Sequence, residues 1–188
     1  MFKLKYKISF SSCKIINLEI IIYDILDMYL TIEASKFDPF YLLINNKTKN
    51  NIMNNSDFFR ILYSDEYITF NGVYIHFILQ NINIEKYFNK VKCCFNNNIY
   101  NNKTISDIIK IEEKILNKLQ GILYDYKPNY RMKEQLQNYF IKIFNENNIK
   151  LGNHDNIIFI LKISGIWSNE NSDFFRILYS DEYITFNG

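Results

Sequence analysis

The chain has 188 residues, of which 48% are hydrophobic and 22% are charged, and its net charge is +2 at neutral pH. These values are typical of one packed domain, and they exclude collagen-like, mucin-like and Gly/Ser-linker proteins. A net charge this close to zero does not by itself indicate a nucleic-acid-binding protein. The three cysteines, two of them adjacent, make a poor disulfide framework, so we expect a reducing, cytoplasmic compartment.

The first part of the chain predicts one strand with a basic face and one amphipathic segment. Residues 2–10 alternate between apolar side chains and Lys3, Lys5 and Lys7, which is the pattern of a half-buried strand. Residues 18–29 have the apolar spacing of a helix, and their β-branched content leaves a strand as the alternative. The first segment is not a signal peptide and three acids interrupt the second, so we expect no membrane association.

The central part of the chain predicts strands separated by Asn-rich loops. We expect strands at residues 40–44, 58–63, 67–70, 73–79 and 90–95, with loops at 45–55 and 96–103. Asn71-Gly72 lies between two of these β-rich runs, and it predicts a hairpin turn that pairs the strands on either side. In that hairpin, Tyr67, Tyr74 and His76 would lie on the face opposite to the apolar side chains.

The last part of the chain predicts two helices and a long buried strand. Thr104-Ile-Ser-Asp107 resembles a capping box, and the apolar spacing after it predicts a helix that ends near Gly121. A second helix is expected at residues 131–140 and a buried strand at 156–167. The fold class is therefore α+β, with an antiparallel β-sheet and two or three helices.

Residues 171–188 repeat residues 55–72 with all 18 positions identical. Identity this complete over so short a span indicates a recent duplication or a non-native addition rather than an ancient structural repeat. We therefore expect a single α+β domain at residues 1–170 and an appended or non-native tail at 171–188. The second copy could dock as an edge strand, exchange with the first copy within one chain or in a homodimer, or fray.

The sequence contains no recognisable catalytic or cofactor-binding motif. Its histidines and cysteines lack metal-ligand spacing, and Cys93 and Cys94 would point to opposite faces of a strand. We expect no metal, no cofactor and no enzymatic activity. An enzyme would need a deep pocket with clustered carboxylates or with His154.

Three basic and aromatic features favour nucleic-acid binding. They are the lysine row of the first strand, the Tyr-rich face of the hairpin, and the loop at residues 124–133, which is dense in tyrosines and cations. Proteins that bind single strands without reading sequence need cations along the phosphates and aromatic faces for the bases. Each feature alone is also typical of an ordinary solvated surface.

Residues 104–167 carry a resemblance to a known family. A helix with Ile111-Glu-Glu-Lys-Ile-Leu116 leads to a Tyr-rich loop with Pro128, a second amphipathic segment, and a strand that ends in Ser164-Gly-Ile-Trp167. This order resembles the OB-fold single-stranded-DNA-binding proteins of large nucleocytoplasmic DNA viruses. The resemblance implies a small OB-like barrel, a further strand after Trp167, and a binding face that includes Lys162 and Trp167. The excess of Ile, Asn and Lys over Ala and Arg, typical of an AT-rich genome, agrees with it.

We therefore predict that the protein binds single-stranded DNA or RNA without reading sequence, in viral DNA replication or repair. The residues predicted to bind the strand are Lys3, Lys5, Lys7, Tyr67, Tyr74, His76, Tyr126, Lys127, Tyr130, Arg131 and Lys162. The alternative is a protein-interaction module, either accessory or host-directed, that exposes an apolar or edge-strand surface.

Overall fold

The computed structural model describes residues 31–49, 56–144, 150–169 and 174–186. The predicted strand at 2–10, with Lys3, Lys5 and Lys7, and the predicted segment at 18–29 lie outside these residues. The described helices are α1 (Ile99–Gln120) and α2 (Arg131–Gln137). The described strands are β1 (Thr31–Glu33), β2 (Leu42–Ile44), β3 (Thr48–Lys49), β4 (Ser56–Ser64), β5 (Thr69–Asn71), β6 (Val73–Tyr87), β7 (Lys90–Phe95), β8 (Lys127–Pro128), β9 (Phe140–Phe144), β10 (Gly152–Asn169) and β11 (Phe174–Phe186).

Strand β10 organises the sheet because both of its edges are paired. One edge pairs antiparallel with β6 over residues 152–163 and with β4 over residues 165–169. The other edge pairs antiparallel with β11 over residues 157–169. Strands β7 and β9 extend the sheet beyond β6, while β2, β3 and β5 pair with β4. The described strands do not close into a barrel, so the predicted α+β class is confirmed with an open, mainly antiparallel sheet.

One apolar core lies between the inner face of the sheet and helix α1. The side chains predicted to form the apolar stripe of this helix are buried there: Ile108, Ile111, Ile115, Leu116 and Leu119. Alternate residues of β4, β6, β10 and β11 meet them from the sheet, and Phe77 stacks on Phe159 with 5.3 Å between the ring centroids. No helix in the described ranges is long and apolar enough to cross a membrane.

Helix α1 begins earlier than the sequence predicts. The expected loop at 96–103 is confirmed only for residues 96–98. The expected capping box at Thr104 is wrong, because Asn98 is the N-cap and its side chain accepts from the Asn101 backbone N–H at 2.8 Å. The buried side chain of Asn101 accepts from the Gln80 backbone N–H at 2.8 Å and donates to the Gln80 carbonyl at 3.0 Å. These two hydrogen bonds hold the start of the helix against β6. An Asn-rich segment that looks like a loop therefore supplies the cap and the anchor of a helix.

The predicted Asn71-Gly72 hairpin is also wrong. Strand β5 pairs with β4, and the chain reverses at residues 65–68, where the Asp65 carboxylate accepts from the backbone N–H groups of Tyr67 and Ile68 at 2.9 and 2.8 Å. Gly72 instead passes the chain from β5 to β6 with a φ of 93°, and a Cβ there would lie 2.8 Å from the Ile163 carbonyl oxygen. Glycine is needed at this position for the backbone conformation and for the close approach of β10.

The remaining predicted elements are largely confirmed. The strands expected at 90–95 and 156–167 correspond to β7 and to most of β10. The strand expected at 40–44 begins at Leu42, because Pro39 opens a 3₁₀ turn that the Asp38 carboxylate caps. The helix expected at 131–140 ends at Gln137, and Phe140 begins strand β9, which the sequence analysis missed.

The start of helix α2 is held by a buried carboxylate from helix α1. Tyr130, the N-cap of α2, makes no side-chain cap. The Glu112 carboxylate takes over this role and accepts from the backbone N–H groups of Met132 at 3.0 Å and Lys133 at 2.7 Å. Glu112 is 1% exposed, so its burial among apolar residues is compensated by these backbone donors.

Replacing Glu112 by glutamine is expected to lower the free energy of unfolding by about 1–2 kcal/mol, because the new amide faces one of the two buried N–H groups with a donor. Urea unfolding measures this loss. The adjacent Glu113 is the control, since its ion pair with Lys133 at 2.8 Å is about one-third exposed and Glu113→Gln should cost less than about 1 kcal/mol. Equal losses in the two variants would contradict the capping role of Glu112.

The second copy of the repeated segment docks on its own chain as strand β11, the first of the arrangements left open by the sequence. Both copies lie beside residues 165–169 of β10, one on each edge. Phe59 and Ile61 of the first copy and the equivalent Phe175 and Ile177 of the second are buried in the core. Exchange of the copies between two chains stays a prediction.

Candidate functional site

The outer face of the sheet is the one opposite to α1. Along β10, the alternation of side chains between the inner and the outer face shifts by one residue at Ser164. Ile163 and Ile166 both point into the core although they are three residues apart, so a bulge at Ser164 shifts the alternation. As a result Lys162, before the bulge, and Trp167, after it, share the outer face. The viral resemblance names these two residues for a binding face, and that role stays a prediction.

Beyond the bulge, Trp167 and Arg176 lie on the outer face next to Phe174, and Lys127 and Arg131 lie beside these three residues. We call these five residues the arginine–tryptophan cluster. The Arg176 guanidinium carbon lies 4.9 Å from the centroid of the Trp167 ring, which is within cation–π range. The rings of Trp167 and Phe174 meet edge to face with their centroids 5.5 Å apart. Trp167 is 8% exposed, since these neighbours cover it.

The predicted Tyr-rich loop supplies two further cations to the cluster. Strand β8 pairs parallel with β11, which puts Lys127 beside Phe174, and the Asn129 N–H donates to the Phe175 carbonyl at 2.8 Å. Arg131 follows two residues later and is exposed. Burial, and then the positive charge of Arg131, lower the pKa of Arg176. The two guanidinium groups are therefore close enough to repel each other.

The first copy of the repeat presents the same residue types on the other side of Trp167. The Arg60 guanidinium carbon lies 6.0 Å from the Phe58 ring centroid, and its Nη1 donates to the Asn71 side chain at 2.9 Å. The Phe58 ring packs over Gly165, where a Cβ would lie 2.4 Å from two ring carbons. A cavity of about 470 Å³ beside Arg60 is lined by Ile44, Asn45, Asn46 and Thr48.

Among the residues that the structure describes, no arginine forms an ion pair with an acidic side chain. The chain has three arginines, Arg60, Arg131 and Arg176, and all lie in or beside the arginine–tryptophan cluster. The ion pairs among the described residues all use lysines, namely Lys36, Lys47, Lys110 and Lys133. The face therefore keeps its positive charge available to an anionic ligand.

The structure separates the other predicted binding residues into three places. On the outer face, Lys162 lies opposite Tyr74 with its Nζ 5.3 Å from the ring centroid, and His76 follows along the same strand. Tyr67, 83% exposed, lies apart at the β4–β5 turn. Tyr126 and Tyr130 are half-buried and pack against the core. Their rings are therefore less open to a nucleic-acid base than the sequence analysis expected.

His76 is expected to make stability depend on pH. Its Nδ1 and the Thr31 hydroxyl are hydrogen-bonded at 3.0 Å, and burial lowers the pKa of His76, while the charge of Glu33 partly opposes this. The unfolded chain then binds the proton at higher pH than the folded chain, so stability falls as the pH drops below about 6.5. The unfolding free energy of His76→Gln should fall less between about pH 7 and pH 5 than that of the parent protein. Parallel losses in both proteins would contradict this.

The cavity at His154, which the sequence analysis named for an enzyme, contains few catalytic residue types among the described residues. His154 and Asp155 line a cavity of about 440 Å³ with Cys94, four asparagines and Ile82. Asp155 is the single carboxylate in this lining, and His154 Nε2 is hydrogen-bonded to the Lys150 carbonyl at 2.9 Å. Cys93 points into the core, opposite to Cys94 as expected, and burial raises the pKa of its thiol to about 12. Within the described ranges, no three His, Cys, Asp or Glu residues are placed to hold a metal.

Sequence reasoning missed four residues of this face: Phe58, Arg60, Phe174 and Arg176. The repeat contained the signal, because Phe-Phe-Arg alternates one buried ring with two outward side chains, and two of the chain's three arginines belong to it. No protein-family model matches the chain, and neither a curated protein nor a solved structure matches it.

Proposed function

We propose that the protein binds single-stranded nucleic acid without reading its sequence, along the outer face between Arg60 and Arg176. The observation that carries the proposal is that each of these arginines lies against an aromatic ring, Arg60 against Phe58 and Arg176 against Trp167. Among the described residues, neither arginine forms an ion pair with an acidic side chain. Arginines bind phosphates, and aromatic rings stack on bases of any kind. This combination favours a flexible strand whose bases are free to turn towards the protein.

The shape of the face supports a strand rather than a small molecule. Arg60 and Arg176 belong to strands on opposite edges of β10, and they lie opposite Gly165 and Trp167. Two strand spacings across and two residues along the strand separate their Cα atoms by roughly 12 Å. Lys127 and Arg131 continue the positive charge beyond Arg176. Lys162, on the same face, continues it towards β6. A ligand that contacts all of them has charges repeated along its length, as a phosphodiester chain has.

A protein-interaction module is the second candidate, and the β6–β7 turn favours it. Phe88 is 84% exposed at this turn and meets Tyr87 edge to face with 5.1 Å between the centroids. An exposed apolar tip of this kind is typical of a contact with another protein. Binding through it would depend little on salt, whereas binding of a strand through arginines would weaken steeply as salt rises.

The proposal is tested by fluorescence anisotropy of labelled oligo-dT, titrated with the full chain over a series of salt concentrations. We expect binding that weakens as salt rises, with a slope of about −2 or steeper when the logarithm of the binding constant is plotted against the logarithm of the salt concentration. The affinity for oligonucleotides of mixed sequence should be similar to that for oligo-dT. A duplex of the same length is the control and should bind more weakly. Absence of oligo-dT binding at low salt would overturn the proposal.

A further inference from the structure

The Arg176 guanidinium lies against the Trp167 ring, with its central carbon 4.9 Å from the ring centroid. A cation–π contact of this kind leaves guanidinium N–H groups able to bind an anion. No described side chain forms an ion pair with Arg176. The group is thus held in position with its donors unused, which is the state that a bidentate oxyanion site requires.

A second guanidinium is placed beside the first by backbone pairing. The β8–β11 ladder and the Asn129–Phe175 hydrogen bond fix the segment that leads to Arg131 alongside Arg176. Two neighbouring cations without an acid raise each other's electrostatic energy, and burial of Arg176 increases this cost. An anion bound between the two arginines removes the repulsion.

The third observation is an unused donor in the same cluster. Trp167 is more than nine-tenths buried, and its indole Nε1 has no hydrogen-bond partner among the residues that the structure describes. Buried donors in folded proteins nearly always have a partner, from the protein or from a bound molecule. An oxygen-rich ligand beside Arg176 would offer an acceptor next to this ring.

From these observations we propose that Arg131 and Arg176, beside Trp167, form a phosphate subsite. The subsite deepens the proposed function and rests on it for the source of the phosphate, which is a phosphodiester of the bound strand. A tetrahedral phosphate has enough oxygens to accept hydrogen bonds from both guanidinium groups at once. The second copy of the repeat then completes the binding face, because it supplies Arg176.

The test uses Trp167 as the reporter, since it is the only tryptophan of the chain. The full chain is titrated with inorganic phosphate, and with NaCl at matched ionic strength, while tryptophan fluorescence is recorded. We expect a saturable change with phosphate and none with NaCl. In Arg131→Gln and in Arg176→Gln, the phosphate affinity should fall about tenfold or more. The control is Lys114→Gln, which removes an equal charge from the exposed side of α1. This variant should bind phosphate with the same affinity as the parent protein.

The outcomes separate the subsite from the proposed function. A phosphate response that does not saturate, or that persists in Arg131→Gln and in Arg176→Gln, overturns the subsite even when oligo-dT binds. A saturable response lost in both arginine variants supports the subsite even when oligo-dT fails to bind, and in that case the proposed function falls alone. Circular dichroism of each variant confirms that the fold is intact.

Discussion

Replacing Gly165 by alanine is expected to lower the free energy of unfolding by about 3 kcal/mol. A Cβ on Gly165 would lie 2.4 Å from carbons of the Phe58 ring and 2.6 Å from the Phe59 carbonyl oxygen. The ring can swing away, but the carbonyl belongs to strand β4, so β4 and β10 must move apart where they pair. Urea unfolding followed by circular dichroism measures the loss.

The matched control is Gly121→Ala at the end of helix α1. Gly121 has right-handed helical angles and no heavy atom within 4 Å of an added Cβ. Alanine there reduces the freedom of the unfolded chain, so it should stabilise the protein by up to about 1 kcal/mol. If Gly165→Ala is as stable as Gly121→Ala, the close approach of Phe58 and β4 to Gly165 is refuted.

The repeated segment shows why local sequence does not determine local structure. The first copy forms β4, a turn at residues 65–68 and β5, whereas the second copy runs as the single strand β11. The reason lies in β10. On one edge, β6 occupies residues 152–163, so the first copy can pair only with residues 165–169 and must then turn away. The other edge has no such neighbour, and β11 follows it from Asn169 to Ile157.

The parts of the fold that could be predicted are those in which side-chain periodicity dominates. The stripe from Ile108 to Leu119 and the alternation of Val73, Ile75 and Phe77 specify which faces are buried, and the structure buries them. The start of helix α1 at Asn98 and the hairpin at Gly72 were predicted wrongly, because the residue types there are found in more than one kind of local structure. Asparagine suits loops and helix caps alike, and Asn-Gly suits a hairpin only when the two flanking strands pair.

The candidate site was predicted less completely because it is assembled from distant segments. Lys127, Arg131 and Lys162 were predicted to bind, and β8 and β10 bring them towards the outer face. The position of Lys127 and Arg131 beside Trp167 depends on the docking of β11, which the sequence analysis left as one of several arrangements. The bulge at Ser164, which puts Lys162 and Trp167 on the same face, has no sequence signal. The barrel implied by the viral resemblance has no counterpart among the described strands, which remain an open sheet.

Arg60 and Arg176 form a natural pair for testing the binding face, because both follow the same Phe-Phe dipeptide in identical copies. We expect Arg60→Gln and Arg176→Gln each to weaken oligo-dT binding by roughly tenfold, and each to reduce the salt slope by about one unit. The two arginines lie across β10 from each other, so their effects should add, to about 100-fold in the double variant. Anisotropy over a salt series measures both quantities.

The control for charge is Lys114→Gln, which removes one positive charge from the exposed side of α1, on the other side of the sheet. Screening at physiological salt should hold its effect on affinity below about twofold. If all three single variants weaken binding equally, the protein responds to net charge and the outer face has no special role. If only Arg176→Gln weakens binding, the strand contacts the arginine–tryptophan cluster alone, and the first copy serves the core through Phe59 and Ile61.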